Sequence, residues 1–328
     1  MTAVPRHDPA TYRPHPLHWP DRLFQETNCY TDLWIELLHA RGDEPLAMLG
    51  FVTIADFEGD QWTFVKPPPA ALERLYGLEV QEFVVYRTLP EHLETQAELG
   101  RTVIIEVDSY YLPDTAGRSY RETHEKSSIA VAAIEPSAER LVYFHGPGLF
   151  ELEGEDYRNL LRVGRDFSDD VLPPYIELVR SDRLPRPDRD ALRPLAEELL
   201  TLQLDRRPTT NPVRRFGERL AADLPFLQAR GERAFHEYAF VTARQCGAAW
   251  EVAQSFLEWL DDGAGGYASA ASRFGELAGA SKTLLFKLAR ATSTGRELDV
   301  AQPIGALADL WDGAMAALVT PATGRPGC

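Results

Sequence analysis

Cys29 is the residue of this sequence with the clearest means of doing chemistry. It follows Thr27 and Asn28, both favourable N-cap residues, and precedes a stretch with apolar residues at helical spacing. If Asn28 caps this helix, Cys29 takes its first position, where peptide dipoles and N–H groups favour a thiolate. The same N–H groups would stabilise the oxyanion formed when the thiolate attacks a carbonyl. Asp32, one turn later, opposes ionisation of the thiol. The alternative is that Cys29 is a small buried apolar residue.

A nucleophilic cysteine needs a base, and His124 is the best placed of the 8 histidines. It lies in the polar stretch TAGRSYRETHEK, directly before the predicted strand SSIAVAAI. A cysteine at a helix start, followed much later by a histidine at a strand start, is the chain order of papain-like thiol enzymes. The alternative is an exposed loop histidine paired with Glu122 or Glu125.

The group that orients the imidazole would come from the next strand, RLVYFH, which ends at His145. Glu135 lies in the turn before that strand. Either side chain could share a hydrogen bond with the ring of His124. The predicted catalytic set is therefore Cys29, His124 and His145.

Two polar stretches are predicted to contact a substrate. The connection VDSYYLPDTAGRSYRETH is longer than most, and long loops often serve as lids or binding loops. The segment ADFEGDQWTFVKPPP places carboxylates beside a tryptophan. The alternatives are a solvated loop for the first stretch and a β-turn at Gly59 for the second. The predicted substrate-binding residues are Asn28, Asp56, Trp62, Asp108, Tyr111, Asp114 and Glu135.

The elements that must position these residues form an α+β domain with a mostly antiparallel sheet. One helix is predicted over 30–41 and ends at Gly42. Two more, 69–76 and 90–99, each begin at proline and end before glycine. The turn-rich EPSAE predicts an antiparallel hairpin between the last two strands. Strands are predicted at 48–54, 62–65, 82–86, 102–107, 127–134 and 140–145.

The rest of the chain predicts an all-helical C-terminal domain. Apolar residues recur at a period of 3.6 over 190–204, 213–223, 226–260, 267–291 and 304–319. Lys282, Lys287 and Arg290 form either a solvated face or a local basic patch. The predicted boundaries are a loose segment 1–20, an α+β domain 21–165, a linker 166–190, a helical domain 191–320 and a loose tail 321–328.

Composition narrows the class of protein. The 328 residues include 34 Lys+Arg and 50 Asp+Glu, a formal charge of −16, which argues against nonspecific binding of nucleic acids or anionic membranes. The 3 cysteines cannot form a disulfide framework, which favours a reducing cytoplasm. No signal peptide and no membrane-spanning apolar run is recognisable. Cys246, in a helical stretch, and Cys328 are read as non-catalytic.

Several long segments carry a resemblance. ETNCYTDLWIELLHA, FEGDQWTFVKPP, EVDSYYLPDTAGRSYRETHEKSSIAVAAIEP and YFHG, with NPVRRFGERL and SKTLLFKLAR, resemble an uncharacterised bacterial family encoded beside amino acid:carrier-protein ligases. The N-terminal domain is more remotely similar to the butirosin-biosynthesis acyltransferase type, which resembles papain-like thiol enzymes. This resemblance implies Cys29 as nucleophile and His124 as base. The third position, an aspartate in that type, falls on His145, so Glu135 or Asp108 could serve instead.

The expectation is an aminoacyl or acyl transferase that moves a group from a carrier-protein thioester to an amine through Cys29. The substrate would arrive on the phosphopantetheine arm of an acyl or aminoacyl carrier protein, and the acceptor would be a small amine. No resident cofactor is expected, and no spacing of ligand residues is diagnostic of a metal. The alternatives are a thiol hydrolase (peptidase or amidase) with the same residues and a non-catalytic carrier- or ligand-binding protein.

Overall fold

The computed structural model describes residues 5, 7–164, 172–264 and 266–319. The chain divides into two compact units. We call the first the sheet unit; it comprises Met1–Pro20, Asn28–Pro45 and Pro68–Arg189. We call the second the helical unit; it comprises Asp21–Thr27, Leu46–Pro67 and Asp190–Cys328. The boundaries predicted along the sequence therefore differ from the packing, because 21–27 and 46–67 pack with the helices that follow residue 190.

The sheet unit contains a six-stranded sheet in the order β1-β6-β2-β3-β4-β5, with every neighbouring pair antiparallel. This confirms the prediction of an α+β domain with an antiparallel sheet. Strand β6 lies inside the predicted linker 166–190, between β1 and β2. The strands are β1 (Glu79–Phe83), β2 (Thr102–Asp108), β3 (Lys126–Glu135), β4 (Arg140–His145), β5 (Gly148–Glu153) and β6 (Ile176–Arg180).

The described helices of the sheet unit have local signals at their ends. The Asn28 side chain caps α1 by accepting hydrogen bonds from the backbone N–H groups of Tyr30 and Thr31, at 3.0 and 2.9 Å. Gly77 ends α2 in the left-handed region, at φ 65°. A Cβ there would lie 2.7 Å from the carbonyl oxygen of Pro185. The helices are α1 (Cys29–Ala40), α2 (Pro69–Tyr76), α3 (Leu89–Glu98) and α4 (Gly154–Leu160).

The two faces of the sheet have different partners. Val103, Ile105 and Val107 of β2 point into a core shared with α3 and α4. Side chains alternate along a strand, so Ile104, Glu106 and Asp108 point to the opposite face. Helix α1 packs on that opposite face, against β3, β4 and β5.

Two side-chain contacts confirm the position of α1. The hydroxyl of Tyr30 donates a hydrogen bond to Glu177 of β6, whose register partner on β2 is Ile104. Tyr12 donates to Glu36 of α1 at 2.6 Å, and its ring contacts Phe144 of β4. The segment 7–20, predicted to be loose, is thus packed against α1.

The C-terminal part of the helical unit contains α5 (Leu192–Leu204), α6 (Pro212–Arg230), α7 (Glu232–Val241), α8 (Ala243–Asp261), α9 (Ala268–Thr294) and α10 (Ala301–Val319). The predicted helix 226–260 is interrupted at Gly231, which has φ 77°, and again at Thr242. No helix in the described ranges is long and apolar enough to cross a membrane.

Two segments predicted as strands are not strands. Residues 48–54 belong to a 3-10 segment, Pro45–Ile54, and 62–65 contribute only an isolated bridge between Phe57 and Trp62. Most of 48–54 is buried, whereas in 62–65 only Trp62 and Val65 are buried. Short apolar runs cannot be assigned to strand or helix by periodicity alone.

Candidate functional site

Cys29 occupies the first position of α1, as the N-cap signal predicts, and is a partly exposed free thiol. The donors around it are fewer than expected. The Asn28 side chain accepts hydrogen bonds from the N–H groups of Tyr30 and Thr31. The Asn28 backbone carbonyl accepts a hydrogen bond from the N–H group of Asp32 at 3.0 Å. The N–H group of Cys29 is the first-turn donor that Asn28 does not engage. An oxyanion next to the sulfur would therefore rely on that N–H group rather than on the whole turn.

Asp32, expected to oppose a thiolate at Cys29, is buried beside a histidine. The Nε2 of His18 lies 3.4 Å from an Asp32 oxygen, and its Nδ1 contacts Glu36. Burial lowers the pKa of His18, but hydrogen bonds and charge from Asp32 and Glu36 outweigh it and raise the pKa from 6.5 to about 9. An imidazolium ion thus offsets the negative charge one turn from the thiol. His18 was not among the predicted site residues, although its segment HPLHWP holds two histidines close together.

His124 is held by the last residue of β2. Its Nδ1 lies 2.6 Å from Oδ2 of Asp108, and its ring stacks on Tyr110 with 4.4 Å between centroids. The other Asp108 oxygen accepts from the N–H group of Tyr110 at 3.0 Å. A carboxylate only accepts hydrogen bonds, so the proton of the neutral imidazole is on Nδ1. Nε2 is then the basic nitrogen, on a side chain that is 66% exposed.

Asp108 therefore takes the position in which His145 was predicted, as the partner of His124. It was also one of the two substitutes that the resemblance allowed for the missing aspartate. The alternative pairing of His124 with Glu122 or Glu125 is not the one found, since its Nδ1 contacts Asp108.

The head of α1 and the His124–Asp108 pair lie on the same face of the sheet. Asp108 alternates with Ile104 and Glu106, which share the α1 face. Tyr30, next to Cys29, contacts Glu177 near the start of β6, and β6 starts beside the end of β2. Among the described residues no hydrogen bond or ion pair joins Cys29 to His124.

His145 points to the opposite face. Its Nδ1 lies 2.5 Å from Oδ2 of Asp114, and its Nε2 lies 2.7 Å from Oγ of Ser127. Tyr143, two residues earlier, belongs to the core under α3 and α4 and donates to the other Asp114 oxygen at 2.5 Å. Phe144, between them, contacts Tyr12 on the α1 face. The sequence predicts that the strand ends at His145 but does not determine which face the side chain takes, because a shift of one residue in register moves it to the other face.

Glu135 lies at the far end of β3 from His124. The strand runs from Lys126 to Glu135, which at about 3.3 Å per residue separates its ends by roughly 30 Å. The Glu135 carboxylate is 3.0 Å from Arg140. It therefore stabilises the β3–β4 turn instead of orienting the imidazole.

Asp56 and Trp62, predicted to bind substrate, serve the helical unit. Trp62 is 1% exposed, and its ring contacts Phe57, Phe216 and Trp250. Asp56 pairs with Arg215 of α6. Gly59, at φ 100°, forms the turn between them, as the alternative reading proposed.

The long β2–β3 loop is ordered by its polar side chains. Tyr111 is half-buried and packs on the core beneath α3 and α4, with its ring 5.1 Å from that of Tyr110. Tyr120 donates to Asp156 of α4 at 2.9 Å, and Arg121 pairs with the same carboxylate at 2.5 Å. The loop therefore has a fixed conformation in which Tyr110 and His124 meet.

The remaining candidates lie in the helical unit. Cys246 is buried, and burial raises the pKa of its thiol, which makes it a poor nucleophile. Cys328 lies outside the described residues. Lys282 donates to the carbonyl of Leu23 at 3.0 Å and lies 4.7 Å from the ring centre of Phe24, so part of the predicted basic patch has a structural role. No group of three potential ligands for a metal ion occurs in the described ranges.

Comparison with protein families matches two consecutive segments of the chain. The family described as the DUF1839 N-terminal domain matches residues 13–181, and the DUF1839 C-terminal domain matches residues 189–320. No curated protein matches the chain.

Proposed function

The chain belongs to the DUF1839 family, and we propose that it is a cysteine-dependent aminoacyl or acyl transferase of specialised metabolism. The group would be taken from a carrier-protein thioester and given to an amine. The observation that carries the proposal is the 2.6 Å contact between His124 Nδ1 and Asp108, which leaves a basic Nε2 exposed on the face that α1 covers. The partly exposed thiol of Cys29 at the head of α1 is the matching nucleophile.

The chemistry proceeds in two steps. His124 Nε2 takes the proton of the Cys29 thiol, and the thiolate attacks the carbonyl carbon of the thioester. The carbon–sulfur bond to the pantetheine arm breaks, and the departing sulfur takes the proton from His124. The acceptor amine then attacks acyl-Cys29, loses a proton to His124, and the Cys29 sulfur leaves with that proton. Because a thioester is already activated, positioning and a modest base suffice.

The remainder of the proposal concerns the fold type and the partners. A cysteine at a helix head, with a histidine before the strand that the helix covers, supports a papain-like arrangement in which Asp108 replaces the usual third residue. Asp108 and Tyr110 contact the ring of His124, and Tyr111 lies at its edge with 6.4 Å between ring centres. Asn28 directly precedes Cys29. Asp114 and Glu135 instead contact His145 and Arg140. The proposed partners are an acyl or aminoacyl carrier protein and a small amine, and the proposed compartment is the cytoplasm.

Covalent trapping tests the proposal. The protein is mixed with an aminoacyl thioester of N-acetylcysteamine, which mimics the end of a pantetheine arm, and its intact mass is measured. We expect an added aminoacyl group, mapped by peptide analysis to Cys29. The adduct and the amine-dependent turnover should disappear in Cys29→Ala and persist in Cys246→Ala, the matched control at the buried cysteine. An absent adduct together with unchanged turnover in Cys29→Ala would exclude covalent transfer.

A thiol hydrolase is the second candidate, favoured by the exposure of His124 to water. The same acyl-Cys29 intermediate would be cleaved by water in place of an amine. Partition of the acyl group between water and added amines separates the two: a transferase yields amide in proportion to amine concentration, and a hydrolase yields the free acid throughout. If no acyl group binds covalently, a carrier- or ligand-binding role remains.

A further inference from the structure

Ser127, His145 and Asp114 form a continuous chain of hydrogen bonds on the sheet face opposite to α1. The Ser127 hydroxyl lies 2.7 Å from His145 Nε2, and His145 Nδ1 lies 2.5 Å from the Asp114 carboxylate. Ser127 is the second residue of β3, His145 ends β4, and Asp114 comes from the loop between β2 and β3. This is the connectivity of a serine nucleophile, its base and the acid that orients the base.

The direction of each proton follows from the partners. Burial and the Asp114 carboxylate raise the pKa of Tyr143 well above its ordinary value, so its hydroxyl stays protonated and donates to Asp114 at 2.5 Å. The second Asp114 oxygen accepts from Nδ1 of His145, which puts the ring proton there. Nε2 of the neutral ring is then an acceptor, and the Ser127 hydroxyl donates its proton to it. The serine proton is thus already aligned with the base.

The site lies where β3 begins and β4 ends, on two interior strands of the sheet. The side chain of His145 is 11% exposed. The six residues that precede Ser127 in the sequence, 121–126, are all exposed to solvent. The chain after His145 turns at once through Gly146 and Pro147 into β5. Ser127 itself is 6% exposed, so a reagent that reaches its hydroxyl must be small, which favours a short acyl group over a polymer.

We propose that Ser127 is a second nucleophile of this protein, activated by His145 and Asp114, and that it accepts short acyl groups from activated esters. Ser127 Oγ attacks the ester carbonyl carbon while its proton passes to His145 Nε2. The carbon–oxygen bond to the leaving group breaks, and the leaving oxygen takes that proton, giving an alcohol and acyl-Ser127. Water then hydrolyses acyl-Ser127. His145 takes a proton from water, the resulting hydroxide adds to the acyl carbon, and Ser127 leaves with that proton, which releases the free acid.

Labelling of the unmodified protein tests this inference without depending on a variant that must fold. An alkyl fluorophosphonate, which reacts with base-activated serines, is added and the adduct is mapped by peptide mass. We expect one adduct on Ser127, together with release of p-nitrophenol from p-nitrophenyl acetate that persists in Cys29→Ala, where the other proposed nucleophile is absent. A folded protein with no fluorophosphonate on Ser127 overturns the proposal and leaves the hydrogen-bond chain a purely structural feature.

Three variants distinguish activation from simple exposure. Ser128→Ala, at the next residue but on the α1 face, should keep both reactions. His145→Gln should lower the labelling rate by about 100-fold, the size of a lost general base. A labelling rate unchanged in His145→Gln overturns the proposal, because the serine would then react without its base. Cys29→Ala should label normally, so failure of this inference and failure of the proposed transferase are measured independently.

Discussion

The Nδ1 atom of His124 lies 2.6 Å from the carboxylate of Asp108. Asp108 is the last residue of β2, and His124 lies near the other end of the loop that follows it. This contact joins the two ends of a long loop and selects the ring tautomer at the same time. A histidine that must alternate between base and acid benefits from such an acceptor, because the carboxylate also stabilises the imidazolium ion. Asp108 was predicted as a substrate contact and also as one substitute for the third catalytic residue, and its contact with His124 favours the second role.

Asp108→Asn should lower the rate of acyl transfer by about 100-fold with little change in stability, because the amide keeps the shape but loses the negative charge that would stabilise the imidazolium ion formed during transfer. Turnover and the pH dependence of Cys29 alkylation by iodoacetamide measure the effect. Glu106→Gln is the matched control, since Glu106 lies on the same strand and face but pairs with Lys126 at 3.0 Å. Equal losses in both variants would argue against a specific role for Asp108.

Asn28→Ala should destabilise the protein by about 1 kcal/mol, because two N–H groups of α1 lose their cap. It should also change the rate of Cys29 alkylation, since those N–H groups then face the sulfur. Asn211→Ala removes a comparable cap in α6, where Asn211 accepts from Val213 at 2.9 Å and Arg214 at 3.3 Å. That variant should lose stability and leave the Cys29 rate unchanged. Urea unfolding and alkylation kinetics give the two readouts.

His18 should make stability fall as pH rises above neutrality. Its pKa of about 9 in the folded protein exceeds the ordinary 6.5, so its stabilisation is fully present below pH 6.5 and is lost as pH rises through about 9. The difference corresponds to roughly 3 kcal/mol. His18→Gln should be less stable at pH 6.5 and should flatten this part of the curve, whereas the exposed His236→Gln should follow the parent. The measurement is the unfolding free energy from pH 6 to pH 10. If the decrease of this free energy with pH is unchanged in His18→Gln, another group causes it.

Trp62→Ala should cost about 3–5 kcal/mol, the range for removing a large aromatic side chain from a packed core. Thermal or urea unfolding measures this loss. Trp62→Phe keeps most of the ring contacts and should retain both folding and the KM for the acyl donor. A raised KM in Trp62→Phe with unchanged stability would contradict this prediction and indicate that Trp62 contacts the substrate.

Local features were readable from the sequence wherever a few neighbouring residues determine the outcome. Asn28 before an amphipathic stretch placed Cys29 at the start of α1, and proline and glycine marked both ends of α2. The short apolar runs on either side of the EPSAE turn predicted the β3–β4 hairpin. These signals depend on backbone hydrogen bonds and side-chain caps within one or two turns of chain, so no distant partner is needed to interpret them.

Tertiary packing decided everything that depends on which face a side chain takes or which unit a segment joins. His124 and His145 are both strand-end histidines in the sequence, but pleating sends His145 away from α1 to Ser127 and Asp114. In the sequence, Trp62 and its neighbours resemble a binding loop, but in the structure Trp62 is packed against Trp250 and Phe216. His18 becomes a buried imidazolium only because the folded chain brings Asp32 and Glu36 against it. Each of these outcomes arises from contacts between residues that are separated in the chain. A pattern of neighbouring residues does not determine such contacts.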